Sequence, residues 1–334
     1  MMRFLLGAAL LVSCYKSSPT PAPPPPAQHS PIAIARPERD YRAALGDPVG
    51  FLPSDSELVL SIDGDQLRKS PLWTIADQRI RAAGGTSFST FTGTCGFDPI
   101  ASIRGVTVGL RGLKNAKPDG VIVVTGLSRA KLTECLERAG ATASAQLTVD
   151  HGFYTIRTST TDPTAMTFTF VDDGTAVILL APSADRAALE KVLASGVPLR
   201  RSPTFTQLLA QIDTSASVWG IANGKSSIFD ITQGNQKPSA IWGSIHLDTG
   251  ASVSMRIRFN DAAVAQQLAT QAQTQMSGAQ MFFDRLDINA DGPELVVEAA
   301  MSESKLASLM SLLGMAATAP PPPPPPPTRP ALRP

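Results

Sequence analysis

Residues 285–314 contain a change of hydrophobic period that recurs three more times along the chain, and this repeat restricts the fold more than any other feature. Leu286 and Ile288 alternate with polar residues, Asp291-Gly292 supplies turn chemistry, and Leu295, Val297 and Ala299 resume the alternation, which predicts a β-hairpin. Ser302 then stands at a helix N-cap position, Leu306, Leu309, Met310 and Leu313 share one helical face, and Gly314 supplies the stop. A hairpin with one apolar face has to be covered, and the helix that follows it is the nearest cover.

The same order is found at 103–140, where Ser128 caps a helix bearing Leu132, Cys135 and Leu136. It is found again at 166–193, where Asp185 or Ser183 caps Leu189, Val192 and Leu193, and at 241–269, where Asp261 caps Ala265, Leu268 and Ala269. A further hairpin is predicted at 146–157 around His151-Gly152. Strands at 57–62 and 216–222 open two stretches of this kind, the second preceded by a short helix from Ser202-Pro203. Residues 67–83 read as helical with a break at Pro71, and 84–97 as loop. The expectation is an α+β fold of two related halves, 51–195 and 196–315, built of antiparallel hairpin-helix units with sheets covered on one face by helices.

The first residues carry a separate signal. Arg3 is a minimal positive region, 4–12 is a short apolar run, and Leu11-Val12-Ser13-Cys14 follows. The run is too short to span a bilayer. These residues resemble the lipobox of bacterial lipoproteins, which implies a leader at 1–13 and a lipidated N-terminal Cys14. Acyl chains there would hold the chain on a membrane at about 0.8 kcal/mol per buried methylene. Tyr15, where an Asp would retain many lipoproteins on the inner membrane, implies the outer membrane of a cell envelope. Residues 14–50 include Pro23 to Pro26 and read as an extended spacer, while 316–334, with Pro320 to Pro327, reads as a disordered proline-rich tail.

Only two other cysteines exist, Cys95 and Cys135, and in an exported chain an even pair predicts a disulfide. The competing reading is that Cys135 is a small buried hydrophobe on its helix face. An apolar fraction of 43% is enough for a sizeable core. The 29 basic and 28 acidic residues are scattered, which argues against nucleic acid as a partner.

Motifs with chemistry are weak. Asp287, Asn289, Asp291, Gly292 and Glu298 match the bare calcium-loop spacing, but Glu294 and Leu295 stand where that loop wants an aliphatic residue and an oxygen donor, and the flanks alternate as strands. The stretch from Gly220 to Ser226 is one residue short of a phosphate loop. Ser302 and Lys305 form an S-x-x-K pair without its companion motifs. His29, His151 and His246 have no ligand spacing, and Trp73, Trp219 and Trp242 are read as core before pocket lining. No metal, cofactor or catalytic residue is assigned.

Leu52-Pro53-Ser54-Asp55-Ser56-Glu57, then an apolar strand, Asp63, Ser70-Pro71-Leu72-Trp73 and Cys95-Gly96-Phe97-Asp98-Pro99 resemble the opening of uncharacterised lipoproteins from delta-type proteobacteria. That resemblance implies an exported domain of no established activity, and it brings no catalytic residues. The function expected is a membrane-tethered envelope module, held through Cys14, that acts by contact with an envelope protein partner. The alternatives are a carrier or sensor of an apolar ligand or lipid and, third, an envelope hydrolase.

Overall fold

A computed structural model describes residues 46–312 except 116–118, 141–145, 158–164, 183, 196–197, 225, 227 and 230–235. Cys14, the spacer up to residue 45, His29, Ser183, Lys225, Leu313, Gly314 and the proline-rich tail lie outside the described residues, whereas residues 48–50, expected as spacer, belong to a short 3-10 helix (Pro48–Phe51) that buries Val49 in the core.

The first half contributes β1 (Leu58–Asp63), β2 (Gly105–Arg111), β3 (Asp119–Thr125), β4 (Gln146–Asp150), β5 (Phe153–Arg157), β6 (Ala165–Phe170) and β7 (Thr175–Ala181). The second contributes β8 (Val218–Asn223), β9 (Ala240–His246), β10 (Gly250–Arg258), β11 (Arg285–Asp291) and β12 (Glu294–Ser302). All of them join one antiparallel twelve-stranded sheet, in the order β11-β12-β10-β9-β8-β1-β2-β3-β7-β6-β5-β4. The seam is the pairing of β1 with β8, where Leu60 lies opposite Gly220. Outward from it the order is the same on both sides: β1, β2, β3, β7, β6 answer β8, β9, β10, β12, β11. The hairpin β4–β5 is an addition to the first half, and its turn holds His151 and Gly152 at φ of 49° and 82°.

The helices are α1 (Gly64–Lys69), α2 (Trp73–Cys95), α3 (Pro99–Ser102), α4 (Arg129–Gly140), α5 (Arg186–Ala194), α6 (Pro203–Leu209), α7 (Ala262–Met276) and α8 (Glu303–Leu312). The starts of α1, α3, α5 and α7 are set by aspartate side chains that accept orphan backbone N–H groups, whereas α2 and α6 begin without a side-chain cap. Asp185 accepts from Ala188 at 2.8 Å and Asp261 from Ala263 at 2.8 Å. Ser302 precedes α8 directly, but its hydroxyl meets Ser304 and its N–H donates to Asp284.

One face of the sheet is marked by a row of cross-strand partners running from Ile288 through Val297, Met255, Gly243, Gly220, Leu60, Val108 and Ile122 to Phe168. The expected helix layer lies here. Leu132 and Leu136 of α4 pack on Val108, Ile122, Tyr154 and Phe168. Ala265 and Ala269 of α7 cover Ile288 and Leu295, and Leu306 of α8 meets Leu247 and Ala251. The opposite face is also covered over the central strands. There Val59, Val121, Val123, Val177, Trp219 and Trp242 pack against Leu189 and Leu193 of α5 and Phe205 and Leu208 of α6. The run Val121-Ile122-Val123-Val124 has no polar alternation because β3 is buried on both sides.

Residues 84–97, expected as loop, form most of the second half of α2. The glycines, serines and threonines there are poor helix formers, but Phe88 and Cys95 are seven residues apart and both buried, so tertiary packing overrides propensity. The weak point shows only at Gly85, whose φ of 53° breaks the helical path. Cys95 and Cys135 are joined by a disulfide, with Cα atoms 4.6 Å apart, which fastens the end of α2 to α4.

Candidate functional site

The calcium-loop residues fold as the β11–β12 hairpin: Asp287 lies opposite Glu298 and Asp291 opposite Glu294, with Gly292 at a φ of 57° in the turn. Their carboxylates are engaged by arginines. Arg285 pairs with Glu298 at 2.6 Å and with Asp287, and Arg256 pairs with Glu294 at 2.8 Å. Among the described residues no cluster of His, Cys, Asp and Glu is placed to hold a metal ion, and no helix is long and apolar enough to cross a membrane. Gly220 of the phosphate-loop look-alike lies inside β8, and no α-helix follows that strand before β9 among the described residues. Lys305 of the S-x-x-K pair donates to the Phe283 carbonyl at 2.6 Å and pairs with Asp284 at 2.9 Å. Trp219 and Trp242 are core residues, and Trp73 is half-buried at the start of α2.

The sheet itself creates a different site. Across the first half, on the face beneath α5, the row Val59, Gly109, Val121, Leu179, Thr167 is apolar but for its last residue, which is fully buried and donates to the Ala184 carbonyl at 3.0 Å. The answering row across the second half is Trp219, Ser244, Ser254, Glu298, Asp287. The next row on that face is His246, Ser252, Ala300, Arg285. Where the first half buries valine and leucine under a helix, the second buries only Trp219 and Ser244 and, from Ser254 outward, carries polar and charged residues that reach solvent. The helices explain the difference. After β7 the chain crosses over and α5 packs on this face, whereas α8 follows β12 without a linker and packs on the other.

The uncovered strands and the segment after α6 enclose an open cleft of about 380 Å³. Its floor is the serine-bearing part of β9, β10 and β12, and its wall is Gln211, Ile212 and Asp213. Asp213 meets His246 Nε2 at 2.9 Å across it. The Ser215 hydroxyl and backbone N–H, together with His246, hold the Asp213 carboxyl below the usual carboxylate range. At the inner end Trp242 is 1% exposed, carries the Arg258 guanidinium 4.8 Å from its ring centre, and has an indole N–H with no hydrogen-bond partner among the described residues. Sequence reading placed His246 in a strand but could not pair it with Asp213, because 33 positions of chain and a change of element separate them.

A second hollow, between α6 and strands β1 and β8, measures about 40 Å³. That is room for a water molecule, well below what an apolar ligand requires. Glu57 lines it, with one carboxylate oxygen accepting from Gly112 N–H at 2.8 Å and the other without a partner among the described residues.

No protein-family model matches the chain, and no curated protein matches it either. Solved structures do. Crystal form IV of TP0453 superposes with a TM-score of 0.53 at 12% identity, covering 81% of this chain and 99% of that one. Crystal form III gives 0.54 at 12% identity over 80% and 98%, and crystal form I gives 0.52 at 13% over 80% and 98%. At that identity the likeness establishes a shared fold, so the α+β architecture of this chain is one already seen in TP0453.

Proposed function

We propose that the protein is a lipid-anchored envelope module that works by contact and carries out no chemistry of its own. The observation that carries this reading is the contrast between the two halves on one face of the sheet. Beneath α5 the apolar side chains are closely packed, with Val121, Val123, Val177 and Leu189 at 0% exposure, and the hollow beneath α6 is only about 40 Å³, which speaks against a carried lipid on that face of the described residues. Beside them lies a polar, charge-paired face over which no helix of the described residues packs, suited to recognition of a polar surface. Cys14 and the proline-rich stretch between it and residue 46 supply the tether, and Tyr15 favours the outer membrane. One observation favours a hydrolase as the second reading: the His246–Asp213 pair opens on a cleft with Ser252 directly opposite His246.

The test is expression of the full chain in a Gram-negative host with a radiolabelled fatty acid. Wild-type chain should carry label and sediment with membranes, and Cys14→Ser should lose both. Label retained by the Cys14→Ser chain, or a wild-type chain without label, would refute the tether.

A further inference from the structure

We infer that the cleft of the second half is a binding site for a neutral, hydroxyl-rich ligand, a glycan segment of one or two sugar rings. The inference rests on the contact-module reading and names what that module's open face recognises.

The charge pattern selects the class. The cleft is lined by two acids, Asp213 and Glu298, and two arginines, Arg256 and Arg285. Each is already paired: Asp213 with His246, Glu298 with Arg285, and Arg256 with Glu294. A phosphate or carboxylate would reach these guanidiniums only beside the carboxylates they already hold, and would face them as like charges, and an ammonium would meet the same obstacle at the arginines. An apolar ligand would strip water from paired ions and serine hydroxyls and offer nothing in return. A sugar hydroxyl donates and accepts together, so one hydroxyl bridges a guanidinium N–H and its partner carboxylate without breaking the pair. Ser252 and Ser254 offer the same dual chemistry between the ion pairs, with the buried Ser244 beneath them. They stand as two adjacent cross-strand rows with His246, and so face a ligand laid along the floor.

Size agrees. The cleft volume of about 380 Å³ lies at the lower end of small-molecule sites. The wall is independent of the floor, since Gln211 and Asp213 come from the segment after α6, and this gives the site two sides that close on a flat ring. The bonded geometry is set before any ligand arrives, because the arginine and histidine side chains are held by their carboxylates. That pre-organisation limits the ordering cost of binding.

The experiment is calorimetric titration of the full-length chain, in a detergent without a sugar headgroup, with diacetylchitobiose, alanyl-alanine and inorganic phosphate as separate probes. Diacetylchitobiose should bind saturably, with the other two at least about tenfold weaker. Ser254→Trp fills the middle of the floor from an exposed strand position, where an aromatic residue suits a strand, and should weaken the disaccharide at least about tenfold. Gln211→Ala, on the exposed wall and outside the sheet, should weaken it by a smaller factor with an unchanged melting temperature. Absence of saturable disaccharide binding, binding undiminished in both variants, or tighter binding of phosphate or dipeptide would overturn the assignment. Because the titration reads only the cleft, a failure here is distinct from a failure of the Cys14 tether, which the labelling experiment reads.

Discussion

Asp98 shows how much one side chain can hold in this fold. Its carboxylate accepts from Ile100 N–H at 2.8 Å and Ala101 N–H at 3.2 Å, which starts α3, and meets Arg81 of α2 at 2.6 Å. Burial acts to raise its pKa, but the Arg81 guanidinium and the two backbone N–H groups outweigh it and hold the carboxyl below its ordinary value. A carboxyl depressed on folding stabilises above its unfolded pKa of about 3.9 and loses that contribution as pH falls through the folded value. Asp98→Asn keeps a competent cap and removes the charge. At pH 7 it should cost up to about 1 kcal/mol, a figure suited to a partly exposed pair. In urea titrations the wild-type advantage should shrink below about pH 4 and vanish in stronger acid. A difference that persists unchanged in acid would mean that the charge is not its source.

At the scale of elements, α2 is the member with the least intrinsic reason to be helical beyond Gly84, and the disulfide to α4 compensates. Closing the 40-residue span between Cys95 and Cys135 should stabilise the fold by about 4 kcal/mol on the chain-entropy account. Cys95→Ser with Cys135→Ser should therefore lower the urea midpoint. Amide exchange should quicken first in residues 86–95, since Phe88 is the one other large side chain buried in that stretch, while β3 keeps its protection. Uniform loss of protection across the sheet would show instead that the bridge supports the whole molecule. The serine rows of β9 and β10 belong to this scale too. Their polarity accords with the absence of a covering helix among the described residues, since α8 packs on the opposite face.

For the molecule as a whole, the seam between β1 and β8 decides whether the halves are separable. β1 takes β2 on one side and β8 on the other, and Val59, Val121, Trp219, Ile221 and Trp242 share one core cluster. Cutting the chain there would bare two strand edges and the middle of the core at once. Thermal unfolding of the intact chain should be a single transition with coincident near- and far-ultraviolet circular dichroism. Fragments 46–195 and 198–312 made separately should aggregate or remain unfolded. Two separated transitions, or a soluble folded fragment, would mean that each half supports its own core.

The recurring hairpin-helix units were legible in the sequence because both periods and their caps are local. Asp185 and Asp261 sit where the spacing requires, and Leu189, Leu193, Ala265 and Ala269 are buried as their four-and-eight spacing demands. The Cys95–Cys135 pairing was legible for a different reason, because an exported chain with two cysteines beyond its leader offers a single pair. Other features depend on what packs against a segment, which local spacing does not encode. Helix through 84–95 is imposed by burial of Phe88 and Cys95 against a propensity that favours loop. The fusion of both halves into one sheet, the second apolar layer under α5 and α6, and the meeting of Asp213 with His246 arise from strand order and from the face each helix takes. Hydrophobic period states that a strand has an inside. Only the assembled sheet states which of its faces remains without a cover, and in this protein that face holds the candidate site.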